Sequence, residues 1–283
     1  MTNCMRLGVS ARCFHKQQTV EELAKAVSDR GFDCVQLSLP ETITAIDTGL
    51  GKLSPGMANY IGETFHKYGV QIANIECYIN PVHPYEDERK RQINMFKERI
   101  RYARDFGCSI VSTETGSLNA NLSFNEKNHG EEVLQTLLRS LNELVEEAEK
   151  FGVMVCIEGV TFFVAHSPKR IRRILDEIDS NNLQIVFDPV NLLSVKNYKD
   201  QDSIIKESFD LFGDRIAILH IKDFLPGEEY LKLAHEGEGL LNYELLLKLI
   251  KAKKPYINII LDHIMLEVKN ESISYLRSIY DKA

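Results

Sequence analysis

The chain has 283 residues with a formal net charge of -7, 44% hydrophobic and 27% charged, which suits a globular protein with a large core. No apolar run approaches the roughly 18 to 20 residues of a membrane span, and the opening Met1-Thr2-Asn3-Cys4-Met5-Arg6 has no apolar signal core. The acidic balance argues against nonspecific nucleic-acid binding, so a cytoplasmic protein with a small-molecule task is expected.

Along the chain, eight short apolar runs are predicted as strands: 6–10, 34–39, 70–75, 109–113, 153–157, 183–187, 215–219 and 257–261. Several are almost continuously apolar, as parallel strands covered on both faces are. Between them lie amphipathic helices. Thr19 and Glu22 form a capping box, and Ser167-Pro168 reads as N-cap plus first-turn proline. From about His129, a long helix puts Val133, Leu137, Leu141, Leu144, Ala148 and Phe151 on one face and stops at Gly152. Glycines 31, 69, 107, 152 and 213 each separate a helical stretch from a strand. No linker or composition shift divides the chain, so residues 1–283 are predicted to form a single (β/α)8 TIM barrel. A doubly wound sheet is the alternative, but the first β-α turn lacks GxGxxG, and Gly49-Leu-Gly51-Lys52 is not a P-loop.

The six cysteines include no CxxC pair. Cys34 and Cys156 sit inside strands as small hydrophobes, whereas Cys13 and Cys77 lie nearer strand ends and could line a pocket.

The residues that end the runs carry the chemistry. Glu158, Asp188, His220 and Asp262 terminate the last four strands, and Glu76 and Glu114 end two earlier ones. In a parallel barrel these positions share the C-terminal rim, where barrel enzymes place their sites. Two carboxylates about 5 Å apart repel by roughly 3 kcal/mol at an effective dielectric near 20, so three together call for protons or a cation. An oxygen-rich set with one imidazole suits Mn²⁺, Mg²⁺ or Co²⁺ better than a thiolate-type zinc site. The competing reading is that each acid only caps a helix or faces solvent.

The segments Cys156-Ile-Glu158, Phe187-Asp188-Pro-Val-Asn191 and His220-Ile-Lys-Asp223 resemble the sugar phosphate isomerase/epimerase family with the xylose-isomerase-like TIM barrel. Gly237-Glu-Gly239-Leu-Leu-Asn-Tyr243, Tyr78-Ile-Asn80-Pro-Val-His83-Pro84 and Thr113-Glu114-Thr-Gly116-Ser117 resemble further segments of that group. The resemblance implies one divalent ion, Mn²⁺ foremost with Mg²⁺, Co²⁺ or Zn²⁺ as alternatives, held by Glu158, Asp188, His220 and Asp262. Asp262 stands where the family usually has Glu, and the adjacent His263 would point to the other face. The resemblance also implies that Glu158 and Asp262 form the acid/base pair. Proton abstraction beside a metal-bound carbonyl, through an enediolate, would then epimerise or isomerise a small carbohydrate.

Glu114, His166, His83 and Asn191 are candidate substrate contacts, with Asn191 and Asp223 also able to orient ligands. For His166 the rival reading is a hydrogen bond at the start of the following helix. Lys222 is read as turned away from His220. Lys169-Arg170-x-Arg172-Arg173 is read as a solvated helix face rather than a phosphate site. Inosose dehydration or hydroxy-keto-acid isomerisation would fit the same site. An apurinic endonuclease is disfavoured by the acidic charge and by Asp188-Pro-Val-Asn191, and Asp262 leaves room for an inactive barrel. A homo-oligomer is implied by the resemblance alone.

Overall fold

The computed structural model describes residues 5–14, 19–262 and 267–283. Ten strands follow in chain order: β1 (Arg6–Ser10), β2 (Cys34–Ser38), β3 (Gln71–Glu76), β4 (Ile110–Glu114), β5 (Met154–Glu158), β6 (Leu183–Phe187), β7 (Ile216–Ile221), β8 (Asp223–Pro226), β9 (Leu231–Ala234) and β10 (Asn258–Leu261). Strands β1 to β7 and β10 close a parallel barrel, β10 pairing with both β7 and β1. Around it run α1 (Val20–Asp29), α2 (Leu39–Thr42), α3 (Pro55–Lys67), α4 (Glu86–Tyr102), α5 (Glu131–Phe151), α6 (Pro168–Glu177), α7 (Gln201–Phe212), α8 (Tyr243–Lys253) and α9 (Asn270–Lys282). The predicted (β/α)8 barrel is the fold.

Each predicted strand exists, with small boundary shifts. The second stops at Ser38 because Pro40, fixed in φ and lacking an N–H, opens the short helix α2. The antiparallel hairpin β8–β9 is an addition outside the barrel that the apolar runs did not announce.

The helix signals act as expected. Thr19 accepts from the Glu22 backbone N–H while the Glu22 carboxylate accepts from the Thr19 N–H, and Ser167 accepts from the Arg170 N–H. Caps of this kind contribute about 1 kcal/mol each. Gly152 closes α5 at φ 62, in the left-handed region that glycine tolerates. Phe151 departs from the predicted stripe: it is the last residue of α5, directly before that turn, and remains 40% exposed.

Two apolar layers hold the barrel. The larger lies between strands and helices; a smaller cluster of Cys34, Ala73, Cys156, Val186, Ile218 and Ile260 comes from six different strands. Gly8 of β1 belongs to the same packing, because a Cβ there would lie 2.5 Å from the Cys34 sulfur and 2.7 Å from Ile260. Cys13, Cys34, Cys77, Cys108 and Cys156 are all buried. Burial pushes Cys34 and Cys77 up to about 12, so neither is a thiolate nucleophile at neutral pH. No described helix is long and apolar enough to cross a membrane.

Candidate metal centre

Parallel strands deliver their last residues to one rim. Glu158 ends β5, Asp188 follows β6, His220 is the penultimate residue of β7, and Asp262 follows β10. All four are buried, and each offers a ligand atom within 4.8 Å of the others. The Nδ1 of His220 lies 3.4 Å from Glu158 Oε1 and 3.5 Å from Asp262 Oδ2. Asp262 reaches the cluster although it is one methylene shorter than Glu, and its backbone N–H still bonds to Ile221 O at 3.0 Å. His263 lies outside the described residues.

Hydrogen bonds fix the state of the imidazole. Gln36 Oε1 lies 2.8 Å from His220 Nε2 and also accepts from Asn74 Nδ2, while Gln36 Nε2 donates to Glu76 Oε2. Oε1 is therefore an acceptor, Nε2 of the ring carries the hydrogen, and the Nδ1 lone pair is left to face the carboxylates. His220 Nδ1 and Asp262 Oδ1 are buried without a hydrogen-bond partner. Such groups are costly to leave unsatisfied, and here they are one imidazole nitrogen and one carboxylate oxygen drawn together. The donor set fits a divalent cation.

The chain supplies part of the counter-charge. Lys222 Nζ pairs with Asp188 Oδ2 at 2.8 Å and donates to Asn191 Oδ1 at 2.7 Å. Despite burial, Asp188, Asp262 and Glu158 hold the ammonium well above its usual range. Three carboxylates offset by one ammonium leave two negative charges, the charge one divalent ion neutralises. Without a cation a proton takes that role: burial opposes charging His220, but Glu158 and Asp262 carry its pKa up to about 9. Burial pushes Asp188 up despite Lys222. Glu158 is also buried, yet His220, Lys222 and Asn191 together hold it below the carboxylate range.

Lys222 corrects the sequence expectation. Side chains alternate with period two, so Lys222 shares a face with His220 rather than opposing it. Asp223 is a second correction: its carboxylate accepts from the backbone N–H groups of Phe224, Gly237, Gly239 and Leu241, tying the segment after β9 to the start of β8 instead of orienting a ligand. Gly239 is required there, since a Cβ would lie 2.2 Å from Asp223 Oδ1.

Asn191 donates from Nδ2 to the candidate ligand Glu158 at Oε1, at 2.6 Å. Glu114 lies in register with Glu158 on the adjacent strand and is pushed up to about 8, by burial first and the Glu158 charge second. His83 is buried in the loop after β3, where its Nδ1 accepts from the Tyr85 N–H at 3.2 Å. His166 stacks on His129 with ring centroids 4.0 Å apart, and burial followed by the His129 charge carries it down to about 4. Ser167, not His166, caps α6. The basic run is taken up by partners: Lys169 by Glu207, Arg170 by the His129 carbonyl, Arg172 by Asp176, and Arg173 by Glu131 and Glu177.

Sequence reasoning missed Gln36, Arg12 and the role of Tyr78. Tyr78 donates its hydroxyl to Glu158 Oε2 at 3.2 Å, and Arg12 pairs with Glu76 at 2.8 Å. One signal was available: Gln36 is a polar residue in the middle of an apolar parallel strand, and such a residue needs a buried partner.

The sequence model of the xylose isomerase-like TIM barrel matches residues 24–279. The chain belongs to this family. The uncharacterized protein MJ1311 of Methanocaldococcus jannaschii is 25% identical over 253 residues, which is 87% of this chain and 80% of that one. The crystal structure of a D-tagatose 3-epimerase-like protein superposes with a TM-score of 0.76 at 21% identity, covering 98% of this chain and 99% of the other. That of the 3-keto-D-glucoside 4-epimerase YcjR from E. coli gives 0.73 at 16% identity, covering 97% and 99%. At these identities the structural likeness is one of fold.

Proposed function

We propose that the chain is a divalent-metal-dependent sugar isomerase or epimerase, moving a proton at the carbon next to a carbonyl through an enediolate. The observation that carries this reading is the pair of buried atoms without hydrogen bonds, His220 Nδ1 and Asp262 Oδ1, gathered beside Glu158 and Asp188. Oxygen donors with one imidazole favour Mn²⁺, with Mg²⁺, Co²⁺ and Zn²⁺ as alternatives. Held by Glu158, Asp188, His220 and Asp262, such an ion would supply Lewis-acid polarisation of a carbonyl.

The protein's own groups divide the remaining work. Asn191 fixes Glu158 through Oε1, and Oε2, which accepts the Tyr78 hydroxyl, is the oxygen that takes the substrate proton. Asp262 comes from β10, separated from β5 by β6 and β7 in the barrel. The two carboxylates thus approach from different sides. If both act, the proton is removed from one face and returned to the other, giving epimerisation; if Glu158 acts alone, isomerisation follows. Glu114 is assigned a substrate hydroxyl, whereas His83 and His166, on the loops after β3 and β5, are assigned no proton step. The D-tagatose 3-epimerase-like and 3-keto-D-glucoside 4-epimerase neighbours support a carbohydrate substrate. Buried cysteines fit a reducing cytoplasm, and the net charge of -7 disfavours a nucleic-acid partner.

The test is deuterium uptake at the α-carbon of a panel of ketoses, inososes and hydroxypyruvate in D₂O, with the Mn²⁺-loaded protein. Exchange with at least one of them, lost in Glu158→Gln, is expected. Silence across the panel sinks the reading.

A further inference from the structure

A cavity of about 210 Å³ opens beside the cluster, between the loop after β5, the segment after β6 and the β8–β9 hairpin. Its walls are apolar: Val160 and Phe162 from the first loop, Leu193 and Val195 from the second, Leu231 and Leu233 from the hairpin. Its polar lining includes Asn191 and Lys222, which bond to Glu158 and lie against Asp188 respectively. The chamber therefore begins one side chain away from two of the four candidate ligands.

Three features argue that this space has an occupant. Phe162 is 42% exposed and Tyr230 67% exposed, so the loop after β5 and the hairpin turn both leave aromatic surface in water at the chamber. Leu231 and Leu233 share one face of β9 with Lys232 exposed on the other, so the hairpin turns its apolar side to the chamber, Leu231 packing also against the main apolar cluster. Finally, an apolar pocket with few polar groups, set against a cluster of charged side chains, is the usual form of a small-molecule subsite.

The charges narrow the chemistry. The Lys222 ammonium is already engaged by Asp188 and Asn191, and Glu229 adds a carboxylate to the lining. The chamber thus offers an anion no unpaired cation. We infer that it receives an uncharged apolar substituent, an aryl or short alkyl group, carried on the sugar whose reacting carbons meet the cluster. A dry apolar cavity of roughly 150 Å³ accommodates a benzene ring, so this volume is sufficient. This inference rests on the cluster being the reacting centre, and it adds the substrate class: neutral sugars with an apolar arm rather than phosphorylated ones.

Calorimetric titration of the Mn²⁺-loaded protein with phenyl and methyl β-D-glucopyranoside tests it. Burial of the ring is expected to make the phenyl compound on the order of 30-fold tighter. Val195→Phe and Leu233→Phe, each filling the chamber with the ring the ligand would bring, should reduce that ratio to about threefold or less. Mn²⁺ titration and the thermal midpoint of each variant report that fold and cluster persist. Equal affinities in the wild type, binding of neither compound, or an unchanged ratio in both folded variants overturns the inference. So does a wild-type dimer in light scattering that Leu233→Phe dissociates, which would assign the chamber to a second copy of the chain. A phenyl preference together with a silent deuterium-exchange panel would instead keep the chamber and remove the isomerase reading.

Discussion

Two sectors of the same rim carry carboxylates at strand ends and treat them differently. On β3, Glu76 meets an arginine: Arg12 donates to it at 2.8 Å, Gln36 donates to its other oxygen at 2.9 Å, and Arg12 also pairs with Glu41. On β5, β6, β7 and β10, the chain brings one ammonium to three carboxylates and leaves His220 Nδ1 and Asp262 Oδ1 without hydrogen bonds. The first sector is settled by its own residues; the second is settled only when something else arrives. An acid at a strand end is thus not by itself a site, and what separates the two is whether its buried neighbours already have partners. Two hydrogen bonds join the sectors, Gln36 to His220 and Tyr78 to Glu158.

The largest effect expected from this contrast is on metal content. His220→Ala and Asp188→Asn should each lose bound Mn²⁺ by elemental analysis after dialysis, while Glu76→Gln keeps it. Equal loss in all three would erase the distinction between the sectors.

Acidity gives the next largest effect. A cation must displace the proton that His220 holds up to about pH 9 in its absence. Apparent Mn²⁺ affinity should therefore fall about tenfold for each pH unit below 9, until the carboxylates also titrate. A flat profile between pH 6 and 8 would show that the ring nitrogen is not a ligand.

The strand ends were legible because parallel order places them together: Glu158, Asp188, His220 and Asp262 needed only the eight runs to be found. The counter-charges were not. Arg12 lies on a short turn after β1 and meets Glu76, 64 positions on, only across the intervening strand β2, and Gln36 bonds to a histidine 184 positions away. Lys222 was legible but misjudged, since a two-residue step returns to the same face. The β8–β9 hairpin was hidden by its brevity: with strands of four residues around Pro226 and Gly227, it has the composition of a loop.

A third test acts on the link between the sectors. Gln36→Leu removes the acceptor that holds the His220 tautomer, leaving the four candidate ligands intact. Loss of such a partner typically lowers metal affinity 10- to 100-fold. Unchanged affinity would mean that the ring is oriented by packing alone.

The smallest effect on metal is expected from Arg12→Leu, whose consequence should appear as stability instead. In the wild type burial outweighs the arginine, and Glu76 rises to about 7 against an ordinary 4.5. An acid raised on folding contributes stability that is present below pH 4.5 and lost as pH climbs through 7. Removing Arg12 takes away the influence holding Glu76 down, leaving burial and the charges of Asp262 and Glu41 to push it higher. Near pH 6 the variant should accept a proton at Glu76 and unfold in urea close to the wild-type midpoint. Near pH 8.5 it must either carry an uncompensated buried charge or take up a proton against the solution, costing about 3 to 5 kcal/mol. Mn²⁺ content should change little at either pH, because Glu76 is not among the four clustered residues. Loss of metal together with stability would show the two sectors to be one electrostatic unit, with Arg12 part of the centre.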